Sequence, residues 1–240
     1  MRVDQLNTGI DIIFLNWGLT DQDLESMPPS LVRSMSIDKL PPRSLNKCTG
    51  TIPLYVGLGH DMGSMTRPGH SGVVRLGRLL MRDQWNTKLY GELENFHLKH
   101  QQSPGDGNDD NRRHGGSVVV HKNRKSGLWG GTGPLEELLT NRGITTLFFA
   151  GVNTDQWVIN LFSTVPNTEC DASHLRCVSS TLSDASVKGY DCIVLEDACG
   201  TTSPQHFTDV VISNTENMWG FVSSSEKLAD SKEERPHQRE

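Results

Sequence analysis

The sequence predicts an α/β fold with three layers, in which helices cover both faces of a parallel sheet. Segments typical of strands and helices alternate along the chain and are joined by short connections. The segment ITTLFFAG at residues 144–151 is a nearly continuous apolar run, which is typical of a strand buried on both faces. The 240 residues are enough for one large domain with a sizeable core.

Five strands and two helices follow from the pattern. The strands are predicted from short apolar runs, and they span residues 10–16, 117–121, 144–151, 191–195 and 220–223. A helix is predicted over residues 134–141, because a proline begins it and Gly143 follows it. A second helix is predicted over residues 177–188, and Gly189 ends it.

Residues 1–222 are predicted to form a single domain that contains irregular insertions. Residues 27–65 are rich in proline, glycine and serine, and residues 100–116 are polar with few apolar side chains. Residues 223–240 are strongly charged and are predicted to form a disordered tail.

Composition argues against several classes of protein. A formal net charge of −6 disfavours a general nucleic-acid binder, since binding to phosphates requires a basic surface. The sequence contains no apolar run of membrane-spanning length and no secretory leader, which predicts a cytoplasmic protein that does not bind membranes. No dinucleotide or phosphate-loop motif is present, so no cofactor is expected. The cysteine and histidine spacings match neither a disulfide framework nor a metal site, so no metal is expected either.

One cysteine and one lysine lie where nucleophilic chemistry is favoured. Cys177 opens a predicted helix, and the N–H groups of a helix N-terminus favour a thiolate and can form an oxyanion hole. Lys122 follows the strand at residues 117–121, and ligands bind at the carboxyl ends of strands in open α/β sheets. Without further context, the default interpretation of Cys177 is a buried structural cysteine, and Lys122 could be an ordinary cation at the end of a strand.

Two motifs make a family resemblance specific. The first is VVVHKNRKSGLW at residues 118–129, and the second is GVNTDQ at residues 151–156, which is continued by CV at residues 177–178. Together they resemble the isochorismatase-like cysteine hydrolase superfamily, which includes nicotinamidases, N-carbamoylsarcosine amidohydrolases and ureidoacrylate amidohydrolases. The resemblance extends from about residue 10 to residue 222.

The resemblance implies a mechanism and its residues. Cys177 would be the nucleophile and Lys122 the lysine of the catalytic triad. The Val152–Asn153 bond would be a cis-peptide, and the N–H groups of Asn153 and Cys177 would form the oxyanion hole. The thiolate would attack the carbonyl of a small amide or ureido substrate and form a thioester. Homo-oligomers are common in this family. The alternative is a catalytically inactive homologue that binds a small ligand or a protein partner.

The sequence departs from the family pattern at its start. The family takes a catalytic aspartate from its first strand, in a motif like V-I-D-M-Q-N, and the chain has no such segment. Asp4 and Asp11 lie in a different context. The family strand order 3-2-1-4-5-6 places the first strand at the centre, so its absence predicts unpaired neighbours. Met1 is therefore expected to be an internal methionine of a longer protein.

A second departure separates the two halves of the cysteine motif. Residues 157–176 are an anomalous insertion, and Trp157 occupies the position where the family has its cysteine. Deleting the insertion restores GVNTDQ-CVSSTLSDASVKGYD, and codons for Gln156 and Arg176 exist that fit intron boundaries. The favoured interpretation is therefore a retained intron, and the alternative is a genuine loop.

Overall fold

A computed structural model describes residues 10–35, 57–66, 72–101, 116–152, 154, 177–201 and 203–230. In this part of the chain, seven strands form three sheets, and α-helices lie between the strands in sequence. The insertion at residues 157–176 and most of the insertion at residues 100–116 lie outside the described residues.

Two parallel sheets form the framework of the fold. In the first, strand β1 (Ile12–Trp17) pairs with strand β4 (Ser117–Lys122). In the second, β6 (Asp191–Gly200) lies between β5 (Thr146–Val152) and β7 (Phe221–Ser223). Among the described residues, the pair β4-β1 matches strands 3-2 of the predicted order and the trio β5-β6-β7 matches strands 4-5-6, and the predicted α/β fold is confirmed.

Seven α-helices complete the described fold. They are α1 (Asp21–Glu25), α2 (Pro29–Ser34), α3 (Glu92–His100), α4 (Pro134–Asn141), α5 (Val178–Val187), α6 (Gln205–Asn214) and α7 (Ser225–Asp230). A π-helical turn, Thr215–Trp219, extends α6, and a small antiparallel sheet consists of β2 (Ser64–Thr66) and β3 (Val73–Arg75). In the described part of the chain, no helix combines the length and the apolar character that crossing a membrane requires.

Helices α4 and α5 pack against both parallel sheets through one shared core. Leu139 of α4 and Leu182 of α5 are fully buried there, together with Val194 of β6. Leu15 of β1 packs against the same cluster. These apolar contacts join the two sheets through one core, although no strand of the first sheet pairs with a strand of the second among the described residues.

Strand β5 differs from its prediction, because only one of its faces is covered. Leu147 and Phe149 pack against the shared core. The alternate residues point the other way, and Phe148 is 39% exposed and Val152 72% exposed. The prediction that both faces are buried was wrong. The apolar run shows only which residues the strand contains. Burial of its two faces also depends on the other segments that pack against them.

Regular structure also occurs in two stretches predicted to be irregular. Helix α2 and all but the last residue of strand β2 lie within residues 27–65, although residues 36–56 are outside the described part. Helix α7 lies within the stretch predicted to be a disordered tail. The backbone N–H of Ser225 donates to the Asp197 carboxylate at 2.7 Å, and this contact with β6 fixes the start of α7. Residues 231–240 lie outside the described residues.

Candidate active site

The lysine predicted from the first motif ends strand β4. Lys122 is only 5% exposed, and its neighbour in the parallel pairing is Trp17, the last residue of β1. Its Nζ donates to the backbone carbonyl of Lys125 at 2.5 Å. Because both strands are parallel and end together, Trp17 and Lys122 lie side by side at the carboxyl end of the first sheet.

Cys177 occupies the N-cap position of helix α5 and is half-buried. Its carbonyl accepts the backbone N–H of Thr181 at 3.2 Å and the Thr181 hydroxyl at 2.9 Å. The same hydroxyl accepts the backbone N–H of Gly127 at 3.2 Å. Thr181 thus ties the first turn of α5 to the segment that follows Lys122.

Trp17 contacts both predicted catalytic groups. Its indole Nε1 lies 3.2 Å from the Cys177 sulfur, in hydrogen-bond geometry. The Lys122 ammonium lies 5.1 Å from the centroid of the Trp17 ring, within the range of a cation–π interaction. The structure therefore brings the cysteine, the lysine and a tryptophan together in one cluster, although 160 residues separate Trp17 from Cys177.

Burial lowers the pKa of the Lys122 ammonium, because a buried charge loses its hydration. The neighbouring Cys177 sulfur acts in the opposite direction through its charge and through a hydrogen bond to the ammonium. A lysine with a lowered pKa releases a proton more readily than an exposed one. Lys122 is thus better suited to exchange protons than an exposed lysine is.

The carboxylates flanking the first sheet have other partners. Asp11 pairs with Arg142 at 3.0 Å, next to the amino end of β1 and at the opposite end of the strand from Lys122. Asp23 in α1 accepts the Asn123 side chain at 2.6 Å and the Thr20 backbone N–H at 2.8 Å. These hydrogen bonds with Thr20 and Asn123 hold the pKa of Asp23 below its ordinary value, although desolvation, the largest single influence, acts to raise it.

Most of the predicted oxyanion elbow lies outside the described residues, since Asn153 and residues 155–176 are among those not described. The Val152–Asn153 cis-peptide and the Asn153 N–H donor therefore stay predictions. Thr154, next to the elbow, is fully buried, and both its N–H and its hydroxyl donate to the Gly200 carbonyl, at 3.2 and 3.0 Å. This contact fixes the end of β5 against β6.

The described cysteines differ in ways that predict selective alkylation. Burial raises the pKa of Cys192 to about 11, and it also raises the pKa of Cys199. Because the thiolate is the reactive form, roughly one Cys192 thiol in a thousand is ionised at pH 8. We expect iodoacetamide at pH 8 to modify Cys177 at least tenfold faster than Cys192 in the folded chain.

Peptide mapping by mass spectrometry measures this selectivity at each cysteine. The unfolded chain in denaturant is the control, and there the described cysteines should react at similar rates. Equal labelling of Cys177 and Cys192 in the folded chain would contradict the expectation.

No three potential metal ligands cluster among the side chains that the structure describes. Trp17 is the site residue that sequence reasoning missed. Its position at the end of a strand next to the Lys122 strand was a usable signal. The contact with Cys177 was not, because it depends on how α5 packs.

Comparisons with known proteins agree with the motif analysis. The family model of the isochorismatase domain matches residues 175–227, which include Cys177, α5, β6, α6 and β7. Among solved structures, a nicotinamidase from Staphylococcus aureus aligns at 20% identity and a TM-score of 0.43, covering 59% of this chain and 68% of that one. A nicotinamidase from Bacillus subtilis aligns at 17% identity with a TM-score of 0.46, covering 90% of this chain and 99% of that one.

An isochorismatase-like hydrolase from Alkaliphilus metalliredigens aligns at 18% identity with a TM-score of 0.41, over 63% of this chain and 60% of that one. These likenesses are partial. The domain match, by contrast, falls on the helix that Cys177 begins and on the strands that follow it. Over residues 175–227, the chain is therefore similar to the isochorismatase domain.

Proposed function

We propose that this protein hydrolyses a non-peptide C–N bond in a small amide or ureido compound, with Cys177 as nucleophile. The observation that carries the proposal is the cluster at the carboxyl end of the first sheet. There the Cys177 sulfur lies at a helix N-terminus, beside a buried lysine and within 3.2 Å of an indole N–H. Each of these neighbours favours a negative charge on sulfur.

The proposed reaction has two steps. The Cys177 thiolate attacks the substrate carbonyl carbon, and the oxyanion that forms faces the N–H groups of the helix N-terminus. The C–N bond then breaks, and the amine leaves with a proton that Lys122 is placed to exchange. Water next attacks the thioester, which releases the carboxylic or carbamic acid and returns the thiol.

A second candidate is a catalytically inactive homologue that binds a ligand through the same fold. The environment of Lys122 favours it. Among the described residues, the Lys122 ammonium contacts the Cys177 sulfur, the Lys125 carbonyl and the Trp17 ring, and none of these is a carboxylate. The predicted triad needs a carboxylate to accept the proton of the thiol.

Turnover and binding assays separate the two candidates. The full chain is incubated with nicotinamide, an N-carbamoyl amino acid and a ureido acid, and ammonia release is followed by a coupled assay. We expect ammonia above the buffer rate from at least one compound. A rise in melting temperature with a compound that is not hydrolysed would instead support the inactive homologue. Neither turnover nor stabilisation by any compound would contradict both candidates.

The cytoplasmic location and the homo-oligomer predicted from the sequence stay predictions alongside this function. Size-exclusion chromatography with light scattering measures the oligomeric state of the purified chain directly.

A further inference from the structure

The Trp17 indole is placed as a hydrogen-bond donor to the nucleophile. Its N–H has no acceptor capacity, so the Cys177 sulfur, 3.2 Å away, must be the acceptor. A thiolate accepts a hydrogen bond far better than a neutral thiol does, because the bond is then charge-assisted. Trp17 is also 5% exposed, which keeps competing water away from the N–H.

The same side chain contacts the cation of the cluster. The Lys122 ammonium lies 5.1 Å from the Trp17 ring centroid, and the two residues are partners in the parallel pairing of β1 with β4. The ring face is electron-rich and attracts the ammonium, while the ring edge carries the N–H. One rigid side chain thus contacts both the Lys122 ammonium and the Cys177 sulfur.

The neighbouring backbone fixes the orientation of Trp17. A Cβ atom at Gly18 would lie 2.3 Å from the His121 ring, so the chain after Trp17 passes too close to β4 for any larger residue. The backbone N–H of Trp17 donates to the Asn16 side-chain oxygen at 3.0 Å. The Asn16 side-chain amide in turn donates to the Thr87 carbonyl. The indole is held before any substrate arrives.

Two other charged groups near the cluster, Arg124 and Asp23, make contacts of their own. Arg124 stacks on the Trp129 ring at 4.8 Å, and Asp23 accepts from Asn123. Burial lowers the pKa of His121, which lies against Gly18. Lys122 is therefore the charged group that contacts the sulfur among the described residues.

We propose that Trp17 belongs to the catalytic machinery, as the N–H donor that holds the Cys177 sulfur in its thiolate form beside Lys122. The proposal rests on the proposed function for its role in turnover. Its hydrogen bond can be tested without any substrate. A tryptophan that merely fills the apolar cluster around Leu19 and Met81 would contribute packing and leave the ionisation of the sulfur unchanged.

The test is the pH profile of Cys177 alkylation in the full chain. Trp17→Phe keeps an aromatic ring and removes the N–H. Trp219→Phe makes the same change in the π-helical turn after α6, where Trp219 is partly buried against the shared core. Iodoacetamide rates at Cys177 are measured by peptide mapping from pH 5 to pH 10. We expect Trp17→Phe to slow alkylation about 5- to 20-fold at pH 7 and to leave the rate at pH 10 unchanged.

The shape of the result separates the roles. Without the N–H, the thiolate forms only at higher pH. The alkylation profile of Trp17→Phe therefore shifts to higher pH, while its plateau rate is unchanged. An unchanged profile in the folded variant overturns the proposal, as does an equal shift in Trp219→Phe. If Trp17→Phe fails to fold, benzothienylalanine at position 17 keeps the bicyclic shape without the N–H and must give the same shift.

The outcome is independent of turnover, since alkylation requires only the sulfur. A shifted profile in a chain that hydrolyses none of the tested compounds would support the role of Trp17 and contradict the proposed hydrolysis. An unshifted profile in a chain that hydrolyses one of the compounds would contradict the role of Trp17 and support the proposed hydrolysis.

Discussion

Replacing Cys177 by alanine is expected to abolish hydrolysis, lowering kcat/KM by on the order of 10³-fold or more. Neither of the other two described cysteines is suited to take over the attack. Burial raises the pKa of both Cys192 and Cys199, and so disfavours their thiolates at neutral pH. The variant should still fold, because Cys177 is half-buried at the edge of its apolar cluster. Initial rates with the best substrate, together with the melting temperature, measure both expectations.

Cys199→Ala is the matched control for this change. Cys199 is half-buried on β6 and donates to the Phe149 carbonyl, so its removal also deletes one sulfur in a folded environment. We expect its turnover to stay within about twofold of the unmodified chain, as for substitutions outside the chemistry. Full activity of Cys177→Ala, or equal loss in both variants, would contradict Cys177 as the nucleophile.

Replacing Gly220 by alanine is expected to reduce the free energy of unfolding by roughly 3 kcal/mol or more. Gly220 connects the π-helical turn to β7 and has a φ of 153°, in a region that side chains disfavour. An added Cβ would lie 2.0 Å from the Cys192 carbonyl oxygen. That oxygen belongs to the backbone of the central strand of the second sheet, so relief requires β7 to move. Denaturant unfolding monitored by circular dichroism measures the loss.

Gly189→Ala isolates the backbone part of this effect. Gly189 follows helix α5 with a φ of 87°, and nothing lies within 4 Å of an added Cβ. We expect its cost to be about 1 kcal/mol, from the left-handed conformation alone. Equal losses for the two variants would mean that β7 adjusts freely and that the close approach to Cys192 is unimportant.

Local sequence patterns predicted the elements well where a strand or helix carries its own signals. Helix α4 was predicted with its observed bounds, since Pro134 begins it and Gly143 follows it. Strand β6 was predicted to stop at Leu195 but continues to Gly200. The apolar run on which that prediction rests ends where the charged pair Glu196 and Asp197 begins. Pairing with β5 resumes beyond it, after an irregularity in the register.

The parts that could not be predicted depend on contacts between distant segments. Helix α7 has the composition of a disordered tail, and it is anchored by Asp197, which lies 28 residues before Ser225. The contact of Trp17 with Cys177 could not be predicted from local sequence, because it depends on the packing of α5. The motifs did predict that Lys122 and Cys177 lie together, and the structure brings them into contact. Their catalytic roles stay predictions.

The division between the two parallel sheets has a mechanical consequence for the site. Lys122 is carried by β4 and Cys177 by α5, and among the described strands no backbone ladder links their two supports. The position of Lys122 relative to Cys177 therefore depends on side-chain packing in the apolar layer of α4 and α5. A misplacement of reacting groups by about 1 Å can cost on the order of 10²-fold in rate. A substitution deep in that layer, as at the fully buried Leu139, is therefore expected to displace the Cys177 sulfur relative to Lys122 and to lower the rate.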